Sequence, residues 1–234
     1  WYYPIDGGDF DELVHYLETF TDGNNAGWCL TDEFRDKLLS GDKDAVNRWG
    51  KMLSCKGNVG SGYQFFVDKA NRKAPQMYKD KGLKIKSSQL CSEITLFSDS
   101  DNTFTCVLAS ENLRKYDERP KMLAFVGTVM LDCVASDFIE KAKEKGNMER
   151  ALKFTEEHRA LGYGVMAFHT YLLDHSIVWG SLESKFTNIK MFSTIKSEAT
   201  HATQWMAKVL GEPEICKGYG VRNTHLLAVA PTKS

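Results

Sequence analysis

The 234-residue sequence has almost no net charge: 30 Lys and Arg stand against 31 Asp and Glu. That removes the electrostatic case for a nucleic-acid or membrane-surface partner, since both need a concentrated field of one sign. Long apolar runs are missing too. The longest, "MLAFVGTVMLDCVASDFI" (122–139), contains Asp132 and Asp137 and reads as a core helix, not a bilayer span. No linker or low-complexity tract appears, and no signal peptide is expected ahead of the fold. The six cysteines (Cys29, Cys55, Cys91, Cys106, Cys133, Cys216) include no CxxC and no zinc-ligand spacing. Scattered thiols of this kind suit a reducing, cytoplasmic compartment. The histidines form no HExxH or other close ligand grouping, so no metal site is expected. A GxSxG elbow is also lacking, which leaves acyl transfer without support.

What is present is ordinary in bulk. With 42% hydrophobic and 26% charged residues, the chain suits one substantial domain or part of a larger one. Residues 9–20 carry Phe10, Leu13, Val14, Leu17 and Phe20, the i, i+3, i+4, i+7 stripe of a helix. A second helix over 31–41 opens with Thr31 as N-cap and ends at a glycine, and a third covers 42–52. "YQFFVD" (63–68) reads as a strand, and 71–85, punctuated by Pro75 and Gly82, as loop. Residues 87–97 and 103–113 both begin strand-like and are joined by the polar turn "SDSDN". Helices are predicted over 121–145, 148–159 and 186–210, the last with a stripe from Phe186 to Val209. Residues 221–230 read as a closing strand. Mixed helices and short strands argue α/β. "GYGV" occurs at 162–165 and 218–221, and the first copy extends to a formal GxGxxA. A dinucleotide loop needs a strand before it, whereas a charged helix is predicted there.

The chemically informative stretch is "SSQLCSEITLF" (87–97). In extended chain, residues two apart point the same way, so Cys91 and Glu93 could meet one ligand together. The alternative is a structural thiol, because free cysteine is among the most buried residue types. Cys106, in the next strand-like run, admits the same two readings. The final "APTKS" would supply hydroxyls and backbone N–H groups suited to a phosphate, given a helix beyond. The sequence starts at Trp1 and ends just after an apolar run of a kind expected inside a sheet, so more chain is expected beyond it.

Taken together these segments resemble the large, catalytic subunit of ribonucleotide reductase. "SSQLCSEITL" resembles the family's finger loop, S-N-L-C-x-E-I, and "TCVLASENLRKYD" the following redox-cysteine strand, C-x-L-[AS]-S-x-N-L. "EHRALGYGVMAFHTYL" is similar to R-x-L-G-[LI]-G-V-x-G-[FL]-x-x-x-L. "RNTHLLAVAPTKS" is similar to R-N-[AS]-x-L-x-x-[IVA]-[AM]-P-[ST]-x-[ST]. The resemblance implies the central part of a ten-stranded α/β barrel, incomplete on its own. Its divisions would be 1–86 as helical approach and first strand, 87–113 as finger loop and redox-cysteine strand, and 114–234 as helices, closing strand and start of the phosphate loop.

By the same resemblance Cys91 is the thiyl-radical site that takes the substrate's 3′ hydrogen, and Glu93 accepts the 3′ hydroxyl proton. Cys106 is one half of the reducing dithiol. Ser88 and Gln89 would touch the sugar, and Pro231, Thr232, Lys233 and Ser234 would begin the phosphate loop. No cofactor is implied in this chain: a metal-bearing small subunit, or cobalamin, would supply the radical, and thioredoxin or glutaredoxin dithiols the electrons. The other implied partners are the remaining fragments of the large subunit and the ribonucleotide substrate. Nucleic acid and membrane are excluded. Three departures stand out. Gln89 replaces the usual asparagine, Lys233 replaces a small residue or glutamate, and no motif matches the second reducing cysteine upstream of Cys91. The leading expectation is therefore a segment of a split reductase, active only with companion chains. Split reductase genes occur in this family notably in bacteriophages, which would place the chain in infected bacterial cytoplasm. Two alternatives remain: an inactive, reductase-like piece that acts as a scaffold for the subunits, and a general thiol redox protein using Cys91 and Cys106.

Overall fold

The computed structural model describes residues 1–20, 26–89 and 91–231. They fall into two compact units: Trp1–Ala74 with Gly82–Phe97, and Pro75–Lys81 with the chain from Ser98 onward.

In the first unit, β1 (Tyr2–Pro4), β2 (Gly27–Leu30) and β3 (Tyr63–Phe66) pair in that order, all parallel, with Tyr2 opposite Gly27 and Gly27 opposite Tyr63. Parallel neighbours need a crossover. Here α1 (Phe10–Thr19) makes the first, and α2 (Asp32–Leu39) with α3 (Lys43–Val59) the second. The predicted α1 stripe buries Phe10, Val14 and Leu17 against Trp28, Leu30, Phe34 and Met52. Thr31 caps α2 as expected, its Oγ1 accepting the Phe34 N–H at 3.1 Å, and Asp42 caps α3 through the Ala45 N–H at 2.9 Å. α3 runs seven residues past the predicted Met52. Its buried stripe of Ala45 and Met52 continues to Cys55, which outweighs the roughly 1 kcal/mol that mid-helix Gly57 costs, and left-handed Gly60 ends it. The stretch 71–85, expected as loop, contains the end of α4 (Val67–Lys73) and all of α5 (Gln76–Asp80), split by Pro75.

In the second unit, β4 (Leu108–Asn112) and β5 (Gly162–Met166) are parallel partners, with Ala109 opposite Tyr163. The first "GYGV" is thus itself a strand. The polar turn forms as predicted: Asp99 Oδ1 accepts from the N–H groups of Asp101 and Asn102. The described residues of 87–97 and 103–107, expected to start as strands, carry none; in this part of the chain regular pairing begins at Leu108. A 3₁₀ turn (Leu113–Glu118), α6 (Leu123–Lys145), α7 (Glu149–His158), α8 (Phe168–Asp174) and α9 (Leu182–Leu210) follow. α6 packs on α9 over a core that includes Leu131, Ala135, Val165, Leu172, Met191 and Ile195. Of the predicted α9 stripe, Ile195, Ala199, Ala202 and Met206 are buried, while Phe186, Ile189, Trp205 and Val209 are exposed.

The closing strand over 221–230 does not form. That segment lies along β5 through one parallel bridge, Tyr163 to Leu227, and the bonds Leu161 N–H to His225 O (3.0 Å) and Tyr163 N–H to Leu226 O (2.8 Å). Gly164 permits the approach, since a Cβ there would sit 2.2 Å from the Ala228 carbonyl oxygen. The architecture is α/β with parallel pairing, as expected, and neither sheet closes on itself among the described residues. Among those residues no helix is long and apolar enough to cross a membrane.

Candidate active site

The Cys91 loop belongs to the first unit and is anchored at both ends. On the incoming side, the Asn71 side chain bonds both backbone groups of buried Ile85, donating to its carbonyl at 2.8 Å and accepting its N–H at 2.9 Å. On the outgoing side, Ile94 and Leu96 are buried. Between them the loop closes on itself. The Gln89 N–H donates to the Ile94 carbonyl (3.3 Å), and the Ile94 N–H returns to Gln89 Oε1 (2.8 Å). Buried Ser88 adds its hydroxyl, 2.6 Å from the Ile94 carbonyl and 3.0 Å from Gln89 Oε1. At the tip the Ser92 N–H donates to the Gln89 carbonyl at 3.1 Å, and Ser92 takes φ +66°. That left-handed conformation costs a non-glycine residue roughly 1 kcal/mol.

This scaffold leaves Cys91 exposed as a free thiol. Two residues before it, Gln89 Nε2 is buried without a hydrogen-bond partner; two residues after it, Glu93 Oε2 is likewise buried and unpartnered, among the described residues. One donor and one acceptor thus flank the thiol unsatisfied. A buried group in that condition ordinarily costs about 1–3 kcal/mol, so it needs an explanation, and a ligand is the simplest. A cavity of about 420 Å³ lies alongside, lined by Tyr2, Tyr63, Lys86, Ser87, Ser88 and Gln89. A slightly larger one, about 480 Å³, lies against α1 among Leu13, Tyr16 and Leu17.

The remaining predicted positions are placed as follows. Cys106 is exposed in the second unit, on the irregular segment before β4, next to Thr105, whose hydroxyl meets that of Thr155 at 2.9 Å. Pro231 is exposed and is the last described position; Thr232, Lys233 and Ser234 lie outside the described residues. The other thiols divide cleanly. Burial pushes Cys29, Cys55 and Cys216 up, Cys216 to about 12, which keeps them protonated and unreactive. Cys133 is exposed on α6. No group of three or more His, Cys, Asp or Glu among the described residues is arranged to hold a metal ion.

One residue that sequence reasoning passed over organises the second unit. Asp132, noted only as an interruption of an apolar run, is buried and receives Arg159 (Nε to Oδ1 2.8 Å, Nη2 to Oδ2 2.9 Å), Arg222 (Nε to Oδ2 3.0 Å) and Asn223 (Nδ2 to Oδ1 2.8 Å). Burial alone would push its carboxyl up, but the two guanidinium groups outweigh it and hold the value below the ordinary carboxylate range. The arginine of "EHRALG" and the "RN" of "RNTHLL" therefore meet at one carboxylate. A second buried network joins Glu111, Arg119, Glu198 and Tyr163. An acidic residue inside an apolar helical run was the available signal for the Asp132 hub; Glu111, on β4, offered none of that kind.

Parallel strands with helical crossovers make this an α/β fold, and the exposed thiol held between an unsatisfied amide and an unsatisfied carboxylate marks a cysteine-centred site in its first unit. Residues 36–215 match the family model described as ribonucleotide reductase, barrel domain, and the chain belongs to that family. It is 42% identical over 207 residues to a Frog virus 3 (isolate Goorha) protein described as a ribonucleoside-diphosphate reductase large subunit, covering 87% of this chain and 36% of that one. The ribonucleoside-diphosphate reductase large subunit of Invertebrate iridescent virus 3 is 34% identical over 206 residues, covering 87% and 32%. Among solved structures, the Actinobacillus ureae class Id ribonucleotide reductase alpha subunit superposes with a TM-score of 0.94 at 40% identity, over 100% of this chain and 45% of that one. The fold is thus a central portion of the reductase barrel. The chain spans about a third of the length of these viral relatives.

Proposed function

We propose that this chain is a segment of a ribonucleoside-diphosphate reductase catalytic subunit, with Cys91 as the thiyl-radical site. The observation that carries the reading is the exposed Cys91 thiol flanked by the buried, unpartnered Gln89 Nε2 and Glu93 Oε2. A ribose offers adjacent hydroxyls that could accept from the amide and donate to the carboxylate. In the proposed reaction, the Cys91 thiyl takes the 3′ hydrogen and becomes a thiol, and Glu93 takes the 3′ hydroxyl proton. The 2′ hydroxyl takes a proton from the cysteine pair that includes Cys106 and leaves as water. That pair supplies two electrons and becomes a disulfide, its second hydrogen ends on the 2′ carbon, Glu93 returns its proton to the 3′ oxygen, and Cys91 returns its hydrogen to the 3′ carbon and is again a thiyl. Gln89 keeps the amide donor on a longer arm than asparagine, while its oxygen is committed to loop closure at Ile94. A metal-bearing partner or cobalamin supplies the radical when bound. Thr232, Lys233 and Ser234 are proposed to meet the substrate's phosphates. Segments equivalent to the rest of the relatives' barrel, a thioredoxin- or glutaredoxin-type reductant and a cytoplasmic setting complete the assembly; a split gene of viral or phage type is the proposed origin.

The test is Cys91→Ser in the reconstituted reductase, followed by deoxynucleotide formation. Turnover is expected to vanish while association with the other reductase segments persists. Turnover equal to wild type would overturn the assignment. Association without turnover by the wild type itself would instead favour the scaffold reading.

A further inference from the structure

We propose that Tyr2 is a positioning residue for the Cys91 loop, its hydroxyl acting as a latch on the loop's tip. The inference rests on Cys91 being the reactive thiol, but its structural half can be tested without that. Tyr2 sits in β1 opposite Gly27 of β2, and its ring lies across the glycine: a Cβ at position 27 would fall 2.4 Å from Cε1 and 2.6 Å from Cδ1. Phe65 of β3 meets the ring edge-on, with centroids 5.6 Å apart. Between these two contacts the ring has one place to lie, so the phenol is a rigid arm. Its hydroxyl reaches the loop from the sheet, donating to the Gln89 carbonyl at 3.4 Å and pairing with Ser92 Oγ at 3.1 Å. Gln89 and Ser92 bracket the tip that bears Cys91, and the Gln89 carbonyl also takes the Ser92 N–H. One hydroxyl therefore braces both sides of the tip, including the residue held at φ +66°.

Packing alone does not call for a hydroxyl here. A phenylalanine ring would fill the same place over Gly27 and beside Phe65; what it would lose is the link to the loop. The bonds internal to the loop fix its neck, at Ser88, Gln89 and Ile94. Tyr2 ties the tip to a strand of the sheet, which is where placement of a thiol to within a fraction of an ångström is decided.

The test is Tyr2→Phe in the intact protein, with Ser92→Ala removing the other hydroxyl. Hydrogen exchange of the peptide covering 88–96 is expected to quicken about fivefold, the factor lost with one ordinary hydrogen bond. A peptide from β2 (27–30) should stay at the wild-type rate in both variants. In the reconstituted reductase, kcat should fall by a similar factor with KM unchanged. Unaltered exchange in the loop overturns the proposal, as does equal acceleration in β2, which would mean general loosening. Faster loop exchange with wild-type kcat also overturns the positioning role. These failures are separable from failure of the functional reading, which Cys91→Ser decides by itself.

Discussion

His158 offers a sharp test of how the second unit is held together. Its ring is buried, stacked on Phe154 at 4.2 Å, and its Nδ1 is 2.8 Å from the Tyr78 hydroxyl. Desolvation, with a smaller push from neighbouring His225, lowers its pKa from the ordinary 6.5 to about 3. The folded protein therefore keeps this ring neutral at pH values where the unfolded chain takes up a proton. Stability from this group is fully present above about pH 6.5 and is lost as pH falls from there toward about 3. At about 1.4 kcal/mol per pH unit the whole window is worth about 5 kcal/mol, and between pH 7.5 and 5 the loss is about 2 kcal/mol. The assay is denaturant unfolding of wild type and His158→Asn at both pH values. Asparagine keeps an acceptor for Tyr78 without titrating. His225, lowered to about 4 by desolvation, contributes with the same sign in both proteins. The variant starts out less stable but should lose about 2 kcal/mol less than wild type on acidification. Equal losses in the two proteins would refute the argument that a buried neutral imidazole supports this unit.

Two further perturbations probe the elements around it. Asp132→Ala leaves two guanidinium groups without their shared carboxylate in a buried site, so a loss of about 3–5 kcal/mol is expected in denaturant titration; a loss under about 1 kcal/mol would show that the network is not structural. Gly164→Ala would set a methyl 2.2 Å from the Ala228 carbonyl and force the 221–230 segment off β5, lowering stability by about 1–3 kcal/mol in thermal unfolding; an unchanged melting curve would refute the packing described at Tyr163 and Leu227.

The sequence was most readable where a local rule decided the outcome. α1, with its full stripe, and α2, with Thr31 at its cap, required no knowledge of partners. The strands were harder to place. Residues 103–107 and 221–230 have the composition of strands, but pairing depends on neighbours, and among the described residues of the second unit only β4 and β5 build a ladder. In the 221–230 segment the composition yielded just one bridge, at Leu227. The glycines at 162 and 164 match a dinucleotide loop in spacing alone, a reading the preceding helix argues against, and at 164 the need is space for a carbonyl of another segment. In the candidate site, Cys91, Glu93 and Gln89 were picked out by the loop motif, whereas the two-residue argument for Cys91 and Glu93 assumed extended chain and Ser92 between them is left-handed at φ +66°. Tyr2 was not legible, because its contacts with Gln89 and Ser92 span 87 and 90 residues and a lone tyrosine carries no pattern. Asp132 was half legible: its charge was visible within an apolar run, but its partners, 27 and 90 residues further on, were not.

The Asp132 hub also restricts how this part of the chain can vary. Removing Asp132 leaves Arg159, Arg222 and the Asn223 amide without their shared carboxylate, while removing any one of those three takes a partner from it. A change at one of these four positions is therefore felt at the others, although they lie on α6, at the end of α7 and along the segment beside β5.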